Sequence, residues 1–196
     1  MNSKTPNFLA FLHHNKLVDV LSIPHDNDNG FINRLKLQKL VYFAQKRFNL
    51  PTNYSYNLYR NGMYSPDLTD DYYNIGVYDL ENFNPNDYTD YSLPEEFNQD
   101  RFLSIFLEKS ASWLEVGSTI LHFNDLRLFP VKEKIVNQVL NEKPQYSYEY
   151  VLKIYQELHR EKLILEVGDE IRRIYQRSPN LFDAFAAENP NLITNL

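Results

Sequence analysis

Apolar positions along this chain recur mostly at helical spacing. Thr5-Pro6 offers an N-cap followed by a proline at the first helical position, and Phe8, Leu9, Leu12, Leu17, Val18 and Leu21 continue as a stripe. A first helix is therefore predicted to about Leu21. The polar run from Pro24 to Gly30 follows as a loop. Asn33 is placed to cap a second helix running to about Phe48. Its apolar face is Leu37, Leu40, Val41, Ala44 and Phe48, while Lys36, Lys39, Lys46 and Arg47 gather on another face. Tyr54 to Tyr59 alternates aromatic and polar residues, the period of a strand, and Arg60-Asn61-Gly62 turns the chain. Ser65-Pro66 opens a third helix whose first turns carry Asp67, Asp70 and Asp71, where the helix dipole favours acids, and Gly76 is its expected stop.

Val77 to Leu93 holds two candidate strands around Asn84-Pro85-Asn86-Asp87, and a hairpin after a helix pair is the layout of a winged helix. From Pro94 the helical period returns. One helix is expected from Glu95 or Asp100 to Glu108, with Phe102, Ile105 and Phe106 inward. Another, capped by Ser110 or Ser112, covers Ala111 to Asn124 with Trp113, Leu114, Val116, Ile120, Leu121 and Phe123 as its core face. Phe129-Pro130 starts a third, Val131 to Asn141, on Ile135, Val136, Val139 and Leu140. Ser147 caps a fourth, Tyr148 to Lys162, on Val151, Leu152, Ile154, Tyr155 and Leu158. Ile164 to Val167 reads as a strand or a helix start, Gly168 to Arg177 as a basic helix and Asn180 to Glu188 as a last short one. The expected fold is mainly α: a multi-helix globular domain with a small β-hairpin and a winged-helix-like N-terminal unit. With no repeat and no long linker, residues 1–196 are expected to form a single domain. In it the helices and hairpin of 1–93 are packed by a helical half, 94–196.

Composition narrows the class. With 196 residues, 43% of them apolar and 28 of them Tyr or Phe, the chain carries too much core material for disorder. The absence of cysteine removes disulfides and thiolate metal sites. No apolar run approaches the ~20 residues of a membrane span, and the first residues lack the apolar run of a signal peptide, so a soluble, cytoplasmic protein is expected.

Charge alters the picture more. The total is −6, which argues against a dedicated nucleic-acid binder, but residues 29–66 carry +6 with no acid and residues 67–100 carry −10 with no base. Either the two segments pair with each other in the fold or one of them is a recognition surface.

Candidate chemistry is thin. Five scattered glycines build no phosphate loop, and neither HExxH, GxSxG nor SxxK occurs. His13 and His14 are adjacent and so point to different sides of a helix. The run His25 to Gly30 (HDNDNG) lacks the ligand order and closing Glu of a calcium loop. No catalytic residue, metal or cofactor is assigned, and a non-enzyme is expected. The binding candidates are the basic face of the second helix with Arg60 and the tyrosines about the turn: Lys36, Lys39, Tyr42, Lys46, Arg47, Tyr59, Arg60 and Tyr64. Tyrosine and arginine suit a protein interface or stacking on a single strand. Equally, these tyrosines, with Tyr54 and Tyr56, can be core residues with bonded hydroxyls.

One stretch is similar to a known family. Leu35 to Gln45 (LKLQKLVYFAQ), followed by Tyr59 to Leu68 (YRNGMYSPDL), resembles the Panacea domain of SocA-like antitoxins and the related YwgA-like proteins. Gly62-Met63-Tyr64-Ser65-Pro66 stands where those relatives carry a tighter Gly-Pro turn. Ser112 to Phe123 with Lys143-Pro144 and Tyr148 to Ile164 is similar to the C-terminal half of the YwgA-like group. The resemblance implies a mostly helical fold with a small β element. It also implies a non-enzymatic interaction module that neutralises a cognate toxin or hands a partner to a protease. The competing expectation is a winged-helix-like regulator that binds nucleic acid.

Overall fold

The structure, a computed structural model, describes residues 5–74, 84–88, 91–127 and 131–166, together with 169, 180, 183 and 187. Among them the fold is mainly helical with one two-stranded antiparallel hairpin. The helices are α1 (Thr5–His14), α2 (Asp28–Arg47), α3 (Pro66–Tyr73), α4 (Gln99–Phe106), α5 (Ala111–Asp125), α6 (Lys132–Glu142) and α7 (Tyr148–Arg160). The strands are β1 (Asn57–Tyr59) and β2 (Gly62–Tyr64). The chain divides into two compact units, Met1–Thr119 and Ile120–Leu196, with the division falling in the sequence of α5. No described helix is long and apolar enough to cross a membrane.

Helix ends depart from expectation for one shared reason. α1 stops at His14 because Lys16 takes a left-handed conformation (φ 59°). The Leu17 N–H then bonds the Leu12 carbonyl at 2.9 Å and the Lys16 N–H bonds that of His13 at 2.9 Å, a Schellman cap with Leu17 buried behind it. Leu21 accordingly lies outside the helix and is exposed. α7 ends in the same way: Lys162 sits at φ 55°, its N–H bonds the His159 carbonyl, and Leu163 N–H bonds that of Leu158. Asn49, at φ 58°, follows α2. Glycine is the usual occupant of this position. Here lysine and asparagine fill it, so the stops carry no glycine signal.

α2 begins six residues earlier than expected. Asn27, not Asn33, is the cap, its side chain accepting from the Gly30 N–H at 2.8 Å. A Cβ on Gly30 would lie 2.0 Å from the His25 carbonyl oxygen, so the preceding loop can close over this turn only against a glycine. Asn33 is buried inside the helix, where its Oδ1 accepts from the Asp19 N–H at 2.7 Å. Further along, every residue from Leu37 to Ala44 is buried, so the middle of α2 is enclosed on all sides rather than amphipathic.

The hairpin pairs Asn57 with Tyr64, Leu58 with Met63 and Tyr59 with Gly62. Gly62, at φ 86°, ends the turn, and a side chain there would crowd the Glu115 carbonyl at 3.0 Å and Ser118 Oγ at 3.1 Å on α5. The hairpin expected at 77–93 is not seen in its described part: Pro85–Asp87 is a 3-10 turn capped by Asn84. The flanking strand positions, Gly76, Phe129-Pro130 and both helices expected beyond Gly168 fall wholly or largely outside the described residues.

Amide side chains do the work of strand partners. Gln38 Oε1 accepts from the Ser65 N–H at 2.9 Å while its Nε2 donates to the Ser65 carbonyl at 3.0 Å. Gln45, two turns on, treats Tyr54 likewise, at 2.8 and 3.0 Å. These two residues flank the hairpin, so α2 holds both of its arms by the backbone. In the second unit Asn124 does the same for Leu165, at 3.2 and 2.7 Å. Each pairing satisfies the N–H and the C=O of one residue that no regular strand reaches.

The core of the first unit is aromatic. Phe102 and Phe106 pack at 4.7 Å between centroids, Phe43 and Phe106 at 4.9 Å, and Phe48 and Phe102 at 5.1 Å. Phe8, Phe11, Phe97 and Trp113 extend the cluster. In the second unit α6 packs on α7 through Ile135, Val136 and Val139 on one side and Val151, Ile154, Tyr155 and Leu158 on the other, all buried.

Candidate functional site

Beneath the hairpin and α3, the first half of α2 lines a pocket of about 320 Å³. Phe31, Arg34, Leu35, Gln38 and Lys39 come from α2, Asn61 and Tyr64 from the hairpin, and Thr69, Tyr72 and Tyr73 from α3. The α2 residues stand at i, i+3, i+4, i+7 and i+8, one continuous helix face. α3 is set against them by Ser65, whose Oγ caps it by accepting from the Leu68 N–H at 3.3 Å and whose backbone is held by Gln38.

The floor is a polar network. Gln38 Nε2 donates to Thr69 Oγ1 at 2.9 Å, and Thr69 Oγ1 lies 2.8 Å from the Tyr64 hydroxyl and 3.2 Å from that of Tyr72. Burial pushes the Tyr72 hydroxyl pKa up, opposed by its bond to Thr69, so the phenol stays neutral over the physiological range. The exposed lining residues are Phe31 and the polar Asn61. Phe31 and Ile32 are 49% and 45% accessible, and Tyr59, 50% accessible, meets Tyr64 edge to face at 5.2 Å.

The charges on the lining are those of Arg34 and Lys39; no Asp or Glu is among the described lining residues. Arg34 Nη1 donates to the carbonyls of Ile23 at 2.6 Å and His25 at 2.9 Å. These bonds fix the guanidinium and draw the preceding loop over α2. Among the described residues Arg34, Lys36 and Lys46 form no ion pair. Burial lowers the Lys36 pKa.

The eight residues expected to form a site do not stay together. Lys39 and Tyr64 both line the pocket, and Tyr59 adjoins it through Tyr64. Tyr42 is core, its ring 4.9 Å from that of Tyr56. Lys39 is itself 2% exposed, which breaks the basic face inferred from spacing. Lys36 is half-buried, and Lys46 and Arg60 are exposed. Arg47 is half-buried, its Nη1 donating to the Lys46 carbonyl. Tyr54 is also interior, its hydroxyl 2.6 Å from Thr5 Oγ1 and donating to Asp71 at 2.7 Å. Arg34, Phe31 and Gln38 went unselected in the sequence, although their helical spacing with Leu35 and Lys39 was there to be read. Among the described residues no three His, Asp or Glu side chains converge as metal ligands.

No family model matches the chain, and neither a curated protein nor a solved structure is significantly similar to it.

Proposed function

We propose that this chain is a cytoplasmic, non-enzymatic protein-interaction module of the kind that SocA-like antitoxins represent, whose partner docks on the face formed by α2, the hairpin and α3. The observation that carries this reading is exposed Phe31 on the wall of a concave, polar-floored pocket, with exposed Tyr59 against the lining residue Tyr64. Aromatic anchors beside a pocket are the usual centre of a protein interface. The elements beneath are tied by the Gln38 and Gln45 bonds, so the face is held ready before a partner arrives, and little ordering cost falls on binding. A nucleic-acid regulator draws less support, since a continuous basic face would need Lys39 at the surface.

The test is co-expression with a protein encoded beside this one. Neutralisation of a toxic neighbour and co-purification with it are expected for the natural sequence. Phe31→Asp and Tyr59→Asp are expected to abolish both while leaving the circular dichroism spectrum unchanged. Full neutralisation by both variants would place the interface elsewhere and end the proposal.

A further inference from the structure

We propose, on the footing of that interaction reading, that the α2 pocket recognises an acidic segment of the partner protein and that Arg34 grips its carboxylate. A guanidinium carries five N–H donors. Arg34 commits Nη1 to two neutral carbonyls, and its Nε and Nη2 have no partner among the described residues. Its position is therefore set, its charge meets no carboxylate, and a free edge of the fork remains. That edge matches the two oxygens of a carboxylate.

The pocket's walls define what else the occupant must carry. Phe31, Leu35 and the Tyr73 ring give it apolar sides, and a volume of about 320 Å³ suits one or two side chains rather than a large cofactor. By way of Tyr64 the aromatic surface continues past the mouth to exposed Tyr59. A chain that places a carboxylate inside and apolar side chains along this rim uses all of it, whereas a free small acid would leave the rim bare. A nucleic-acid strand would need further cations at the mouth, where the exposed lining residues, Phe31 and Asn61, carry no charge.

The experiment is an NMR titration of the full-length ¹⁵N-labelled chain with an eight-residue peptide alternating Glu and Leu. The controls are the same peptide with Gln for Glu, phenylacetate, and an oligothymidylate. The acidic peptide is expected to shift the Arg34 Nε–H and the amides of Phe31, Tyr64 and Tyr73. Its affinity should fall at least about tenfold with the Gln peptide and in Arg34→Lys, which keeps the charge but loses the fork. Phe31→Ala, at a surface position, provides a second variant that cannot act by unfolding the loop and should weaken the peptide several-fold. No shift at these residues, an equal response to the Gln peptide, phenylacetate binding as tightly as the peptide, or a preference for the oligothymidylate would each overturn the proposal. Loss of the natural partner in Phe31→Asp with none in Arg34→Lys would leave the interaction reading standing and remove this one. An untouched complex in Phe31→Asp, with the peptide still bound at Arg34, would do the reverse.

Discussion

α2 and α7 are both long helices with a capped start and a left-handed residue after the end, yet they are held in different ways. α7 buries Val151, Ile154, Tyr155 and Leu158 and turns Lys153, Gln156 and Arg160 to solvent, one stripe and one wet face. α2 is buried all round from Leu37 to Ala44, so its polar residues have no water to face. Gln38 answers this by bonding Ser65 and Thr69, and Gln45, the residue just past the enclosed stretch, bonds Tyr54. A helix at the edge of a core needs only a periodic apolar face. A helix through the middle of one needs specific partners for every polar group it carries, and those partners position what lies around it. The candidate site belongs to α2 for that reason.

The largest break in this comparison should come from Gln38→Leu. It leaves the Ser65 N–H buried and unbonded, and a loss of about 1–3 kcal/mol is expected in urea unfolding. Lys153→Leu on the exposed face of α7 should change stability by no more than about 0.5 kcal/mol. Equal effects of the two would mean that the amide pairing does not hold α2 in place.

The caps should behave alike in the two helices. Asn27→Ala and Ser147→Ala each remove a bond to a first-turn N–H, and each should cost about 1 kcal/mol by the same measurement. A much larger loss at Asn27 would show that the loop before α2, and not the cap alone, depends on it.

The smallest effect concerns tyrosines. The Tyr155 hydroxyl, on α7, is buried with no hydrogen-bond partner among the described residues, so Tyr155→Phe should be neutral or slightly stabilising near neutral pH. Tyr54→Phe, which breaks the contacts to Thr5 and Asp71, should destabilise. Burial raises the Tyr155 pKa above the ordinary ~10. A group raised on folding contributes stability that is complete below pH ~10 and is lost as pH climbs towards its folded pKa. Tyr155→Phe should therefore make the alkaline decline in melting temperature shallower, and an unchanged decline would show that this phenol does not titrate with folding.

Much of the fold was legible because much of it is periodic. The buried residues of α4 are those its spacing marks, the six marked on α5 are all buried although Glu115, Gly117, Ser118 and Thr119 are buried with them, and the Ser65-Pro66 and Ser147 caps stand where the residues announce them. α1 overran because Lys16, an unremarkable residue in sequence, takes the conformation that glycine usually marks. The candidate site was legible in outline only. The basic stretch 29–66 was singled out by charge, but charge selected Lys46 and Arg60 at the surface and passed over Phe31 and Gln38, which carry none.

By itself the sequence determined where most of the helices lie, that one stretch is basic and the next acidic, and that the chain turns at Arg60-Asn61-Gly62, though not that Gly62–Tyr64 pairs back as a second strand. These follow from local propensity, capping and composition, which act over a few residues. Only the tertiary structure decided that α2 lies inside, that Lys39 and Tyr42 are buried, and that Arg34 stands in a pocket with its fork half used. Those outcomes depend on residues outside any one helical window, Ile23, Ser65 and Thr69 among them, and no local pattern reports which distant backbone a glutamine will bond.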